Sequence, residues 1–192
     1  MTDLFLTLIS AVLINHLIVQ LPLGIAPVLH AATGSRARLH ALGLATTWLM
    51  LTITVLNHAL YHYLLLPLEL TTLRLFVFLP CSVLLIKPSK ALLSRLFPRL
   101  DFSGLWPLLA SNAGILGLAL LDTQAETSLA RAGALGLGAG LGFWLLASVY
   151  QDLRQRINQE DVPLPFRGLP IELISIGLLG VAFLGLNGLI AP

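Results

Sequence analysis

Six apolar runs, at residues 4–29, 39–64, 70–86, 104–121, 129–150 and 169–190, occupy most of this 192-residue chain. About 20 apolar residues in a helix cross the roughly 30 Å hydrocarbon core of a bilayer, and a helix lets one segment satisfy its own backbone groups there. A closed barrel would instead show segments of about ten residues in strict alternation, and no such pattern occurs. Composition agrees: 57% of residues are hydrophobic, 10% are charged, and the mean hydropathy is +0.90. The expectation is an all-α integral membrane protein with six transmembrane helices in a single domain over residues 1–192. The first run starts from an acidic "MTDLFLTLIS" and outlasts the apolar core of a signal peptide, so it is read as retained.

The loop charges give an orientation. Arg36, Arg38, Lys87, Lys90, Arg95, Arg99, Arg154, Arg156 and Arg167, nine of the eleven basic residues, follow runs one, three and five, leaving Arg74 and Arg131 for the other side. Basic loops stay in the cytoplasm, which puts both termini on the opposite side of the membrane, outside the cytoplasm. Spans one to three then run opposite to spans four to six, forming two inverted three-helix repeats. Repeats of this kind place a working site at their interface, on helices broken near the midplane. Span one carries a break signal in "LPLGIAP" (21–27), with Gly24 and Pro27, and span four carries one in "WPLLASNAGILG" (106–117), with Asn112 and Gly114. Half-helix ends expose unpaired N–H and C=O groups, which a bilayer tolerates only when protein or a cavity covers them. Broken half-helices are therefore expected in spans 1 and 4, against the alternative of ordinary kinks in packed helices.

Few polar residues remain inside the spans. Asn15 and His16 mark a possible ion or proton path, or a neutral His bonded to a carbonyl. His58 and His62, four residues apart, have metal-chelating spacing, but their neighbours Tyr61 and Tyr63 place them in an interfacial aromatic belt. Glu172 is expected to pair with Arg167 by snorkelling, and His30 and His40 are read as solvated loop residues. The run "GALGLGAGLG" (133–142) fails the nucleotide-loop spacing and has no strand before it. Its small-residue pairs, Gly136/Gly140 and Gly138/Gly142, are read as helix contact faces, as are Gly177, Gly180, Gly185 and Gly188. One cysteine, Cys81, excludes an internal disulfide. A net charge of +2 with no basic stripe excludes nucleic-acid binding. No nucleophile–base pair or carboxylate dyad appears, so no catalysis is expected from this chain alone, and no metal site.

"ISAVLINHLIVQLPLGIAP" (9–27), "GLATT" (43–47), "SNAGILGLALLD" (111–122), "DVPLPFRG" (161–168) and "GLLGVAFLGLNGLI" (177–190) together resemble the A-type membrane subunits of Rnf ion-translocating oxidoreductase complexes. That family is related to the E-type membrane subunits of the sodium-pumping NADH:quinone oxidoreductase. The resemblance spans nearly the whole chain and is weakest over 50–105. It implies an inner-membrane component of a complex that couples NADH/ferredoxin-type electron transfer to Na⁺ or H⁺ movement. It implies as partners, besides the lipid bilayer, a homologous six-span E-type subunit, together with the B-, C-, D- and G-type subunits of an Rnf complex. In the family each break carries one cysteine, and the A- and E-type subunits share a [2Fe–2S] cluster held by four thiolates. Here those two positions are Ala26 and Ala113, so no cofactor is expected to be bound by this chain alone and a scaffold role follows. The inverted repeats alone would equally suit a small secondary transporter or permease.

Overall fold

The computed structural model describes residues 2–13, 23–123, 128–158 and 160–185, and among them no strand occurs. The α-helices among the described residues are α1 (Thr2–Leu13), α2 (Ile25–Ala32), α3 (Arg36–Leu60), α4 (Arg74–Leu96), α5 (Trp106–Ala110), α6 (Ala113–Asp122), α7 (Leu129–Arg156) and α8 (Leu169–Leu184). Among the described residues three helical stretches, Arg36–Leu65, Thr71–Leu96 and Leu129–Arg156, are long and apolar enough to cross a membrane. Trp106–Asp122, interrupted between α5 and α6, and Leu169–Leu184 are shorter apolar segments. Asn15 and His16 lie outside the described residues.

Local sequence sets the helix starts. The Ser35 hydroxyl accepts from the Arg38 N–H to cap α3, and the Ser128 hydroxyl accepts from the Arg131 N–H to cap α7. Each satisfies a donor that the first helical turn leaves unpaired. At its far end α3 passes into a single π-helical turn, Tyr61–Leu65, a feature that often accompanies functional positions. Helix α4 corrects the sequence reading, which ends span three at residue 86: it runs on to Leu96 through Pro80 and Pro88. Each proline removes only one N–H, and the turn signals that stop a helix begin only at Phe97. Lys87, Lys90 and Arg95 therefore ride on a helical extension rather than in a loop.

At the centre α3 packs along α7, and the contact depends on glycine. A Cβ on Gly140 would lie 2.4 Å from Thr47 Cα, one on Gly136 would lie 3.0 Å from Leu51 Cα, and one on Gly43 would lie 2.4 Å from the Trp144 ring. Lipid tails are as apolar as leucine, so helices in a membrane associate through close packing and polar contacts rather than through exclusion of water. The contact has an internal regularity. Thr47 and Gly140 each stand eleven residues after the first residue of their helix, Arg36 and Leu129. Gly43 and Gly136 each stand seven after it, and the residues they meet, Trp144 and Leu51, each fifteen.

The other helices surround this pair. Helix α1 rests on α7, where a Cβ on Gly138 would be 2.7 Å from Ala11 Cβ, while α6, whose Ile115, Leu118 and Ala119 are buried, rests on α3, where a Cβ on Gly114 would be 3.3 Å from Met50 Cε. Helix α4 lies against α3, and α8 against α7. Helix α4 is peripheral: Phe76 is 80% exposed and Leu84 72%. At one end the basic residues gather, with Arg36 against Asp152 and Arg154 Nε donating to Glu172 Oε1 at 2.8 Å. A Cβ on Gly177 of α8 would meet nothing within 4 Å, so that glycine makes no close approach within the chain.

Candidate functional site at the helix breaks

Gly24 and Asn112 bring the two breaks together. Gly24 has φ +86, a conformation that costs a side-chain-bearing residue about 1–2 kcal/mol, and it turns the chain into α2. Asn112 stops α5 and caps α6, its Oδ1 accepting from the Gly114 N–H at 3.0 Å. A Cβ on Gly24 would stand 2.8 Å from that same Oδ1, and one on Gly114 would stand 3.6 Å from the Leu23 carbonyl oxygen. Each break also abuts a central helix: Gly24 faces Phe143 of α7, and Gly114 faces Met50 of α3. Met50 and Phe143 are each fourteen residues into their helices. Gly24, Pro27, Asn112 and Gly114 are all buried, whereas Ala26 and Ala113, beside them, are exposed. The Asn112 Nδ2 is buried with no partner within the protein.

A second polar cluster closes one end of the bundle and corrects the aromatic-belt reading of His58. Its Nδ1 lies 2.7 Å from Asp122 Oδ2 at the end of α6, and the two side chains are only 6% and 2% exposed. The His62 ring stands 4.4 Å from the His58 ring. No sequence signal pairs His58 with a carboxylate 64 positions away; the available cue is a lone Asp at the end of an apolar run. At the opposite end, Gln151 Nε2 donates to the Gly34 carbonyl oxygen at 3.1 Å. His58 and Gln151 each stand 22 residues into their helices. Two further expectations change here. Glu172 pairs with Arg154, because Arg167 turns back to donate to the Val162 and Glu160 carbonyl oxygens. His40 sits on α3, half-buried, with its Nδ1 accepting from Trp144 Nε1 at 3.0 Å. Among the described residues no group of three or more His, Cys, Asp or Glu is placed to hold a metal ion.

A profile described as "Rnf-Nqr subunit, membrane protein" matches residues 4–190. The chain belongs to the Rnf–Nqr family. It is 36% identical over 195 residues to the A-type subunit of the ion-translocating oxidoreductase complex of Pseudomonas aeruginosa, covering the whole of both chains. It is also similar to the subunits of the same name from Azotobacter vinelandii, at 35% over 195 residues and the whole of both chains, and Alkalilimnicola ehrlichii, at 33% over 192 residues and 99% of each chain.

Ala26 and Ala113 present methyl groups, which cannot ligate iron, and the single cysteine, Cys81, lies on α4 rather than at either break. The donor set of this chain does not fit a thiolate-held iron–sulfur cluster.

Proposed function

We propose that this chain is the A-type component of an Rnf-type complex in a bacterial inner membrane, coupling NADH/ferredoxin-type electron transfer to Na⁺ or H⁺ translocation. One observation carries the reading: the likeness to A-type subunits of ion-translocating oxidoreductase complexes extends over the full length of both chains. Flavin and nicotinamide chemistry would then belong to other components, among them a homologous six-span E-type subunit, with the B-, C-, D- and G-type subunits beside it.

We further infer one six-span domain made of two inverted repeats. The equal positions of Thr47 and Gly140, of Gly43 and Gly136, and of Met50 and Phe143 in the two central helices support it. The basic residues gathered at one end support a cytoplasmic placement of that end and periplasmic termini. The exposed positions Ala26 and Ala113, beside the meeting point of the breaks, suit contact with a partner protein. With alanine at both, this copy would contribute the frame of a shared [2Fe–2S] site and none of its ligands, and no electron-transfer step is assigned to it.

Purifying the chain from native membranes and assaying its partners and iron tests both parts. The expected result is co-purification with oxidoreductase subunits, and more iron with an iron–sulfur absorption band in the Ala26→Cys/Ala113→Cys double variant than in the parent. Parent complex already holding a stoichiometric cluster at these breaks would overturn the loss of ligands. Isolation as a self-sufficient solute carrier would support the permease reading instead.

A further inference from the structure

The last turns of α3 carry an unusual polar face. Thr54, Asn57, His58, Tyr61 and His62 follow the three- and four-residue spacing of one helical side, continued across the π-helical turn. Polar groups buried at this depth are costly unless they find partners. His58 has Asp122. Thr54 Oγ1, both amide atoms of Asn57 and His62 Nε2 are buried with no hydrogen-bond partner within the protein. His58 and His62 also form one wall of a cleft of about 260 Å³, completed by Tyr63, Ser128 and Leu129. A space of that size has room for water, and the two imidazoles and the Ser128 hydroxyl are the polar groups in its largely apolar lining that could hold it. It links the bundle surface to the His58–Asp122 pair.

From this geometry we infer that His58 and Asp122 form a buried proton-binding site that exchanges one proton with the aqueous phase through His62 and the cleft. Imidazole is the side chain whose ordinary titration falls nearest neutral pH, and the carboxylate beside it balances the added charge. On uptake, cleft water delivers a proton to the face of the His62 ring that lines the cleft and a proton passes on to the His58 ring, whose Nδ1–H stays directed at Asp122. Only N–H and O–H bonds form or break, and the site gains one positive charge; release is the reverse. Among the described residues the surrounding titratable and charged groups are His62, Tyr61 and Tyr63 on the π-helical turn, and Arg74 and Arg131. Arg74 Nη1 donates to the Thr123 hydroxyl at 3.3 Å, next to Asp122, and Arg131 lies in the first turn of α7 beside the cleft. At the corresponding place in α7 the contact is an uncharged amide, Gln151, on a carbonyl, so the site belongs to one end only. The inference concerns this chain's own residues and holds whether or not the electron-transfer reading does.

The test is nitrogen NMR of histidine rings in the membrane-reconstituted complex between about pH 5 and pH 9. Asn–His occurs at 15–16 and 57–58 and His–Ala at 30–31, 40–41 and 58–59, so His58 is the one histidine seen in both an Asn/His-paired and a His/Ala-paired sample, without any substitution. The expected result is that His58 passes from one to two protonated ring nitrogens within that range and that its ring N–H exchanges with solvent. Asp122→Asn should displace the transition, and His62→Leu should slow the exchange at least tenfold while the transition itself remains. A His58 ring locked in one protonation state throughout, with N–H groups that do not exchange, would overturn the proposal and leave a purely structural pair. Unchanged exchange in a folded His62→Leu variant would overturn the route.

Discussion

Asn112 Oδ1 stands 2.8 Å from the point a Cβ on Gly24 would occupy, while it also accepts from the Gly114 N–H. One side chain thus caps α6 and fills the space that only a glycine leaves. Gly24→Ala should destabilise by strain at φ +86, about 1–2 kcal/mol, plus the contact with Asn112. Asn112→Ala should cost about 0.5–2 kcal/mol through loss of the cap. The double variant should lose less than the two single losses together, because removing Asn112 relieves the clash. Thermal midpoints of the purified complex give the cycle, and strict additivity would mean the two residues do not meet.

Gly140→Val should separate α3 from α7, since its Cβ alone would sit 2.4 Å from Thr47 Cα. Overpacking of this kind costs about 1–3 kcal/mol, and backbone on the far side cannot rotate away. Gly177→Val, with open space around it, should leave the stability of the chain itself within about 0.5 kcal/mol. Melting curves of both variants in the same detergent decide the contrast. A Gly177→Val loss confined to complex assembly would assign that face to a partner.

Asp101, in the connection from α4 to α5, accepts from the Ser103 N–H at 2.8 Å. Hydrogen bonds from the Ser103 hydroxyl and backbone, with Arg38 and Lys90 nearby, hold its carboxyl below the ordinary 3.8. A lowered folded-state pKa contributes stability above the unfolded value, and that contribution fades as pH falls through the folded one. Ser103→Ala should move the Asp101 titration back towards 3.8, read by carboxyl NMR, and whatever stability it loses through this carboxyl should be present near neutral pH and vanish as pH falls through the folded-state value.

Reporter fusions check the orientation. Fusions after Arg99 and after Asn158 should read as cytoplasmic, and one between Asp122 and Ser128 as periplasmic. The nine basic residues on one side against two on the other motivate this. Inverted signals would reverse the assignment of both ends.

Gly24 with its positive φ and Asn112 as the cap of α6 stand out in the sequence because each interrupts an otherwise continuous apolar run with a residue suited to that backbone role. The Gly136–Gly140 face is legible for the same reason, through its four-residue spacing. The His58–Asp122 pair is not: His58 lies between tyrosines in sequence, and Asp122 comes close only because α6, restarted at Asn112, ends beside the last turn of α3. Glu172 illustrates a related limit. Arg167 is nearer in sequence, but its guanidinium is taken by carbonyls of its own loop, and the arginine in reach belongs to the end of α7. Prolines 80 and 88 mislead in the opposite direction, since α4 absorbs both without stopping.

The position of the His58–Asp122 pair has an electrical consequence. His58 is eight residues further along α3 than Met50, which faces Gly114, a separation of about 12 Å along the helix axis. With the breaks at the middle of a hydrocarbon core about 30 Å thick, the pair lies close to one boundary. A charge carried across the whole membrane gains about 2.3 kcal/mol per 100 mV, but a proton reaching this pair from the near side crosses only a small part of that drop. Its occupancy would follow the pH of the adjoining water and barely register the voltage, whereas any voltage-driven step in such a chain would have to act deeper, where Gly24 and Asn112 meet.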